Sequence, residues 1–352
     1  MGAALLGLLT GVVGCAGAGS GSSADVPGGP SGAGSPTAAA PAAPAPSGAG
    51  AGTLPQLPGQ TFYVSDQTPV ARQSAALRRQ GRTAEADSLL RIAAQPSAHW
   101  LGDQAARDIA DQVSRSAARV DRTPVFVVYN IPHRDCGLYS AGGASDAAAY
   151  RSWITGLAEA LGDRRAWVVL EPDAIAHTLD NCGVKGDAAT ERYGLLAFAV
   201  QELKKRPQVR VYLDAGNPGW TQDLPALAGA LRRSGIAAAD GFAVNVSNFF
   251  TTDRNAAYGG QLSALLDGKH FVVDTSRNGN GPLDAEAWCN PPGRALGAPP
   301  TTETGRPGVD AYLWIKNPGE SDGECGRGEP PAGEFWLPYA LGLTGAVAGT
   351  AG

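Results

Sequence analysis

From Leu54 onward, short runs of apolar residues alternate along the chain with longer stretches in which apolar residues recur every three or four positions. The short runs are typical of buried strands, and the longer pattern is typical of helices that cover a sheet. Strands are predicted at Val125–Ile131, Ala166–Glu171, Val209–Asp214, Gly241–Val246, His270–Asp274 and Tyr312–Lys316. Helices are predicted at Ala147–Leu161, Ala189–Lys205, Leu224–Arg233 and Phe335–Ala348.

The predicted strands are almost continuously apolar, which indicates a parallel sheet covered on both faces. At least six strand and helix units in one domain favour a (β/α) barrel over an open sheet. A doubly wound open sheet is the alternative, although no G-x-G-x-x-G motif follows the first predicted strand. The fold class predicted from the pattern is therefore α/β, a barrel of parallel strands.

Polar or ionisable residues end nearly every predicted strand. They are Tyr129, Asn130, Glu171, Asp173, Asp214, Asn245, Asn248, Asp274 and Lys316. In a parallel barrel these positions surround one mouth, which is where active sites form. A buried carboxylate is costly unless it is hydrogen-bonded or used in chemistry, so each of these residues has a structural and a functional interpretation.

Composition divides the chain of 352 residues into two parts. The segment from 16 to 53 consists almost entirely of Gly, Ala, Pro and Ser, which predicts a disordered linker before one folded domain at 54–352. The net charge of −5 provides no basic surface for nucleic acid, so no nucleic-acid partner is expected. No apolar run reaches the roughly 18 residues of a transmembrane helix.

The first 15 residues are apolar and end at Cys15, in the order Val-Val-Gly-Cys. This segment resembles a bacterial lipoprotein signal in which the cysteine carries the lipid. A signal needs a basic start, yet the first basic residue is Arg72, so a translation start upstream of Met1 is one explanation. A plain secretory signal and a cytosolic protein are the alternatives. We expect an exported protein, anchored on the outer face of the membrane through Cys15.

Four further cysteines lie in the folded part. Because they are even in number in a chain expected to be exported, they predict two disulfides. Chain order favours Cys136–Cys182 and Cys289–Cys325, although three pairings are open. No C-x-x-C pair is present and the four histidines are scattered, so no zinc site is expected.

Three segments carry the candidate chemistry: Tyr129–Cys136 (YNIPHRDC), Leu170–Asp173 (LEPD) and Lys316–Gly323 (KNPGESDG). With Leu213–Trp220, Val273–Gly279 and Trp288–Asn290, they resemble glycoside hydrolase family 6, the cellulases, and within it the actinobacterial endoglucanases. The resemblance runs from about Phe62 to the end of the chain, in the order of the family. It implies a distorted barrel that hydrolyses a β-1,4-glucan with inversion, as a monomer and without a cofactor.

Hydrolysis of a glycosidic bond needs an acid that protonates the leaving oxygen, and this acid needs a raised pKa. By the resemblance, Asp173 is this general acid and Asp135 the second aspartate that keeps it protonated. Asp322 matches the aspartate often proposed as the base. Two alternatives remain open, a water relay through Asp135 and Ser140, and a plain surface turn at Asp322.

The other expected site residues would bind sugar. The resemblance implies that Tyr129 presses on the reacting ring and that three tryptophans are stacking platforms: Trp100, Trp220 and Trp288. Residues expected to bind hydroxyl groups are Asp214, Asn217, Asn248, Lys316 and Glu320. Asn217 stands where the family often has histidine. Trp153 and Trp167 lie inside helix and strand patterns and are expected in the core.

The loops near the site are short, since only Gly323 and Glu324 separate Asp322 from Cys325. Short loops predict an open cleft and internal cleavage rather than the tunnel of a cellobiohydrolase. No cellulose-binding module is expected after the last helix. The remaining alternatives are a cellobiohydrolase of the same family, a retaining glycosidase on another barrel, and a lipid-anchored glucan-binding protein without activity.

Overall fold

The computed structural model describes residues 54, 56, 58–180, 182, 184–284 and 287–345. The predicted signal segment, the linker and Cys15 lie outside these residues. Among the described helices, none is both long enough and apolar enough to cross a membrane.

Seven parallel strands form one sheet in which spatial order follows chain order. They are β1 (His99–Leu101), β2 (Val125–Val128), β3 (Ala166–Leu170), β4 (Val209–Asp214), β5 (Gly241–Val244), β6 (His270–Asp274) and β7 (Val309–Leu313). Val128 pairs with Leu170, and Leu170 with Leu213, so the carboxyl ends of β2, β3 and β4 lie at one edge. This confirms the predicted α/β fold of parallel strands.

Nine helices of the described residues surround the sheet or pack at its ends. They are α1 (Pro69–Arg79), α2 (Thr83–Ala93), α3 (Ala106–Arg119), α4 (Ala147–Leu161), α5 (Ala176–Leu179), α6 (Gly186–Lys204), α7 (Leu224–Arg233), α8 (Thr252–Leu265) and α9 (Leu337–Leu343). Side-chain caps fix the predicted starts of α4 and α7, because Asp146 accepts from the amide of Ala149 and Asp223 from that of Ala226. The last residues predicted for α9 lie outside the described part.

Alternate side chains along each strand enter two apolar layers, as the two-residue period of a strand requires. One layer packs between the sheet and its helices, and it includes Phe126 and Val128. The other lies on the concave face, where Val127 of β2 and Ala311 of β7 belong to the same cluster. Because side chains of distant strands meet on this face, the sheet is curled into a half-barrel.

Two hydrogen bonds join the β1 region to the residues that follow β7. The amide of Ala98 donates to the carbonyl of Trp314 at 3.0 Å, and Trp100 Nε1 donates to the carbonyl of Ile315 at 2.9 Å. Trp167 is buried inside the half-barrel and packs edge-on against Phe62, whereas Trp153 packs against the outer layer. Both therefore lie in packing positions, as predicted.

Four strand boundaries predicted from the apolar pattern differ from the structure. β3 ends at Leu170 instead of Glu171, and β5 ends at Val244 instead of Val246. The larger errors, at β2 and β7, have the same physical reason. β2 ends at Val128 because the next amides, of Asn130 and Ile131, donate to the Glu171 carboxylate at 2.9 to 3.0 Å. β7 lies three residues earlier than predicted, and the amide of Lys316 donates instead to Asp274 at 3.0 Å. The three-residue strand β1 was not predicted, since so short a run has no readable period.

Candidate active site

A cavity of about 1180 Å³ lies at the carboxyl edge of the sheet. Twelve of the residues expected in the site line it: Trp100, Tyr129, Asp135, Ser140, Asp173, Asn217, Trp220, Asn248, Trp288, Lys316, Glu320 and Asp322. The segments that carry these residues lie far apart in the sequence and meet because parallel strands deliver their carboxyl ends to one place.

Asp173 follows β3 and Pro172, and it has a left-handed backbone with φ of 68°. A non-glycine residue in this region is held there by its surroundings, and such residues concentrate at functional sites. Its amide donates to Asp214 Oδ2 at 2.9 Å. Burial raises the pKa of Asp173 well above its usual range, and the carboxylates of Asp214, Asp135 and Asp180 raise it further. Asp173 is therefore suited to carry a proton near neutral pH.

Asp214 ends β4 and lies behind Asp173, away from the cavity wall formed by the described residues. Its side chain is buried, and Oδ2 accepts from the amides of Asp173 and Gly216. Burial raises the pKa of Asp214 to about 7. The expectation that Asp214 binds a sugar hydroxyl is corrected here, since its position lets it act on substrate only through Asp173.

Asp135 begins a short 3₁₀ turn, with φ of 56°, and the following Cys136 is also left-handed. The amide of Ser140 donates to Asp135 Oδ2 at 2.5 Å. Burial raises the pKa of Asp135, and this hydrogen bond opposes the rise. One oxygen of Asp135, one oxygen of Asp173 and a ring nitrogen of His177 lie within 4.8 Å of one another. Asp135 is thus close enough for its charge to raise the pKa of Asp173.

Asp322 is buried, which excludes the surface-turn alternative. Its Oδ2 accepts from Arg277 Nη1 at 2.8 Å and from the amide of Asn290 at 3.0 Å. Lys316 Nζ lies 3.6 Å from Oδ1. The Arg277 guanidinium is completely buried, so this ion pair is shielded from solvent. Asp322 is therefore held between two cationic side chains at the cavity wall.

Both predicted disulfide pairings are confirmed. Cys136 is bonded to Cys182 and Cys289 to Cys325. The first bond adjoins Asp135. The second adjoins Asn290, whose amide and side chain bond the Asp322 segment. Each disulfide therefore holds a loop that carries a candidate catalytic aspartate.

Two other strand-end carboxylates have a structural role. Glu171 accepts from two backbone amides after β2, and burial raises its pKa to about 7. Asp274 accepts from the amides of Ser247, Ser276 and Lys316. For these two residues the structural interpretation of a polar strand end is the right one.

Two tryptophans of the cavity are held by hydrogen bonds from their indole nitrogens. Trp220 Nε1 donates to Asp180 Oδ2 at 3.1 Å, and Trp100 Nε1 donates to the carbonyl of Ile315. Tyr129 meets Trp100 edge-on, with ring centroids 5.5 Å apart. Trp288 is 42% exposed at the rim. Tryptophans fixed in this way are preorganised surfaces for a flat apolar ligand face.

The polar side chains between these rings form some hydrogen bonds within the protein. Lys316 Nζ donates to the carbonyl of Ser321 at 2.9 Å, and Glu320 accepts from Asn317 Nδ2 at 3.1 Å. Asn217 and Asn248 use their Oδ1 atoms to accept local backbone amides. Their amide nitrogens remain as donors for hydroxyl groups.

The residues of the cavity wall that sequence reasoning missed include Arg134, His177 and Asp180. Arg134 donates to the carbonyls of Tyr129 and Ser140, and its guanidinium lies 5.0 Å from the Tyr129 ring centre. His177 stands one helical turn after Asp173, and that spacing was the available signal. Asp180 contacts His177 and Cys182 of its own segment, but its contact with Trp220 after β4 had no local sequence signal.

The loops that carry Asp135 and Asp322 touch where Gly323 meets Tyr139. Gly323 is so close to the ring of Tyr139 that a Cβ atom there would lie 2.4 Å from Tyr139 Cγ. The Tyr139 ring also faces Trp288, with centroids 6.1 Å apart. Tyr139 itself is 47% exposed.

The curled parallel sheet and the carboxyl groups at the mouth define an α/β-barrel protein with its site at the carboxyl ends of the strands. The family described as Glycosyl hydrolases family 6 matches residues 57–346. The chain therefore belongs to this family, as the sequence motifs predicted.

Named relatives and a solved structure agree with this assignment. Endoglucanase A of Cellulomonas fimi is 44% identical over 259 residues, which are 72% of this chain and 55% of that protein. Endoglucanase 1 of Streptomyces halstedii is 42% identical over 285 residues, 78% of this chain and 85% of that protein. The chain thus spans little more than half of the Cellulomonas relative.

The structure of the endoglucanase Cel6 from Mycobacterium tuberculosis, solved with methyl-cellobiosyl-4-deoxy-4-thio-β-D-cellobioside, is similar with a TM-score of 0.75. It is 44% identical in sequence, and the similarity covers 82% of this chain and 97% of that chain.

Proposed function

We propose that this protein is an inverting endo-β-1,4-glucanase that cleaves internal bonds of cellulose or a related β-glucan. The observation that carries the proposal is the pair of unlike carboxyl groups in one cavity. Asp173 has a strongly raised pKa, and Asp322 is paired with Arg277 and Lys316. Two carboxyls with opposed environments are what acid and base catalysis of acetal hydrolysis needs.

In the proposed reaction, Asp173 donates its proton to the glycosidic oxygen as the bond from that oxygen to the anomeric carbon breaks. The bonding electrons go to the oxygen, which leaves as a hydroxyl group. Water attacks the anomeric carbon from the opposite face, and Asp322 accepts the proton of that water. Burial and the charges of Asp214 and Asp135 keep Asp173 protonated before the reaction, since ionising it would place negative charges close together.

The anomer formed first tests this assignment. Proton NMR of early cellohexaose hydrolysis is expected to show the α anomer. The closeness of Asp135 to Asp173 makes the test necessary, because retaining enzymes place two carboxyls about 5 to 5.5 Å apart. A β product would overturn inversion and favour Asp135 as a nucleophile. Asp173→Asn, which cannot donate the proton, is the matched negative control.

The endoglucanase names of the relatives support internal cleavage. Because the Asp135 and Asp322 loops meet at Tyr139 and Gly323, an internal segment can enter only when these loops part. On carboxymethylcellulose, viscosity is expected to fall far faster than reducing ends appear. Cellobiose as nearly the sole early product would contradict this and favour a cellobiohydrolase. Binding of cellohexaose without hydrolysis by the wild-type chain would favour a catalytically silent glucan-binding protein.

The proposal includes export and anchoring through a lipid at Cys15. Two disulfides in the domain support an oxidising compartment. Mass spectrometry of the membrane fraction is expected to find a lipid-modified Cys15 peptide. Unmodified Cys15 in a soluble fraction would remove the anchor without affecting the assignment of the enzyme.

A further inference from the structure

Asp180 contacts two residues of the cavity wall, Trp220 and His177, and the disulfide-bonded Cys182 through its two carboxylate oxygens. Oδ2 lies 3.1 Å from Trp220 Nε1 and 3.1 Å from His177 Nδ1. Oδ1 accepts from the amide of Cys182 at 2.8 Å. One carboxylate therefore connects a candidate sugar platform, an imidazole and a disulfide, although Trp220 is 40 residues away in sequence.

His177 fills the space between that platform and the candidate acid. Its ring meets Trp220 edge-on, with centroids 5.0 Å apart. One of its ring nitrogens lies within 4.8 Å of an oxygen of Asp173 and an oxygen of Asp135. The side chain is only 8% exposed, so the imidazole is packed in one position. Nε2 is buried without a hydrogen-bond partner among the described residues, so the Asp180 contact is what orients the ring.

The order of strands shows on which side of the reaction centre Trp220 lies. Tyr129 follows β2, Asp173 follows β3 and the Trp220 loop follows β4, so the acid lies between the tyrosine and the tryptophan. With the reacting sugar against Tyr129, as the proposed function has it, the sugar that departs lies on the Trp220 side.

We propose that Asp180 and His177 are positioning residues that hold the Trp220 platform at a fixed place beside Asp173, so that the departing sugar presents its oxygen to the acid. The inference rests on the proposed function, because it assigns a platform and an acid to a glycosidase reaction. Neither residue needs to touch the reacting atoms. A displacement of about 1 Å in a reacting geometry can cost about 100-fold in rate, so a small shift of the platform is sufficient for a measurable effect.

The test compares two substrates that differ on the departing side. Cellohexaose has sugars there and needs the acid, whereas 2,4-dinitrophenyl β-cellobioside has an activated leaving group that needs neither platform nor proton. Asp180→Ala is expected to lower kcat/KM on cellohexaose about 10- to 100-fold, with a lower kcat and a higher KM. On the dinitrophenyl substrate the change is expected to stay within about two-fold.

Asp180→Asn retains one oxygen acceptor, so an intermediate loss of kcat/KM on cellohexaose is expected. This variant replaces Asp180→Ala if Asp180→Ala does not fold.

Asp310→Ala is a matched control. Asp310 likewise bonds a histidine and an aromatic residue, His270 and Tyr212, each at 2.8 Å, but β7 carries it near its amino end, away from the cavity. This control is expected to retain both activities.

A double variant tests whether the two residues act together. His177→Ala added to Asp180→Ala is expected to cost little beyond either single change, because residues of one network are not additive. Equal losses on both substrates, or no loss on cellohexaose, would overturn the inference while leaving the glycosidase assignment intact. A wild-type chain that cleaves neither substrate would overturn the proposed function and the inference with it.

Discussion

The amide nitrogen of Asp173 lies 2.9 Å from Oδ2 of Asp214, so the backbone of the candidate acid is tied to a carboxyl that raises its pKa. This bond stabilises the charged form of Asp214, and that charge in turn favours the protonated form of Asp173. Asp214 thus raises the pKa of Asp173 from a position outside the cavity, and the two carboxyls titrate as a pair.

Asp214→Asn is expected to narrow the pH range of activity from its alkaline side. A general acid is active when protonated, so activity falls as pH rises through its pKa. Removing the Asp214 charge lowers the pKa of Asp173, and the alkaline limb of kcat/KM should move down by about one pH unit or more. The asparagine oxygen can still accept the Asp173 amide, which keeps the backbone in place.

The measurement is kcat/KM on cellohexaose between pH 4 and 9. Asp310→Asn serves as the control, because it removes a carboxylate that lies away from the cavity. An alkaline limb that stays in place in Asp214→Asn would show that another group controls the protonation of the acid.

Stability should depend on pH through the same buried carboxyls. The folded-state pKa is raised to about 7 for both Asp214 and Glu171, whereas unfolded carboxyls titrate near 4. Their contribution to the free energy of unfolding is complete below the pKa of the unfolded state. It is lost as pH rises through the pKa of the folded state. His99 has the opposite sign, since burial lowers its pKa from 6.5 to about 4, but its contribution stops changing above pH 6.5.

Between pH 6.5 and 8 the carboxyls therefore determine the slope, and the free energy of unfolding is expected to fall. The limiting slope is about 1.4 kcal/mol per pH unit for each proton released. Urea denaturation at several pH values checks this, and Asp214→Asn should give a flatter curve. A free energy of unfolding that rises from pH 6.5 to 8 would contradict the assignment.

Sequence motifs identified the residues that reach the cavity better than they identified what each residue does there. Asp173, Asp322 and Asp135 all line it, as their motifs predicted. Glu171 and Asp274 have the same residue chemistry at the same kind of strand end, yet they bond backbone amides. Which carboxyl faces the cavity depends on the neighbouring strand, and no local pattern records that neighbour.

The fold was predictable for a similar reason and to a similar limit. Apolar runs located six of the seven strands because each is buried on both faces. Their ends were misplaced where a carboxylate from another strand captures the next amides, as Asp274 does at Lys316. The contact of Asp180 with Trp220 was out of reach, since it exists only after β3 and β4 have paired.

The Cys136–Cys182 disulfide should support both stability and catalysis. It closes a loop with a sequence separation of 46, for which chain entropy predicts about 4 kcal/mol. The double change Cys136→Ser and Cys182→Ser releases the Asp135 loop and the turn bonded to Asp180. We therefore expect a lower denaturation midpoint and a lower kcat on cellohexaose, measured at a temperature where the variant is folded.

The corresponding change at Cys289 and Cys325 is the comparison. Its separation of 36 predicts a similar loss of stability, but it releases the Asp322 segment instead. Equal stability and unchanged kcat in the Cys136 and Cys182 variant would show that the bond positions neither loop.

Tyr139 is expected to limit how internal segments of a glucan enter the cleft. Its ring packs against Gly323 and faces Trp288, so it joins the two loops at their rim. An internal segment has no free end and must enter from the side, which requires these loops to be apart. Tyr139→Ala removes the contact, and it should increase the fall in viscosity of carboxymethylcellulose per reducing end formed.

Leu138→Ala is the control, because Leu138 is a neighbouring exposed residue of the same loop. An unchanged ratio in Tyr139→Ala would mean that the loops already admit internal segments with the tyrosine in place.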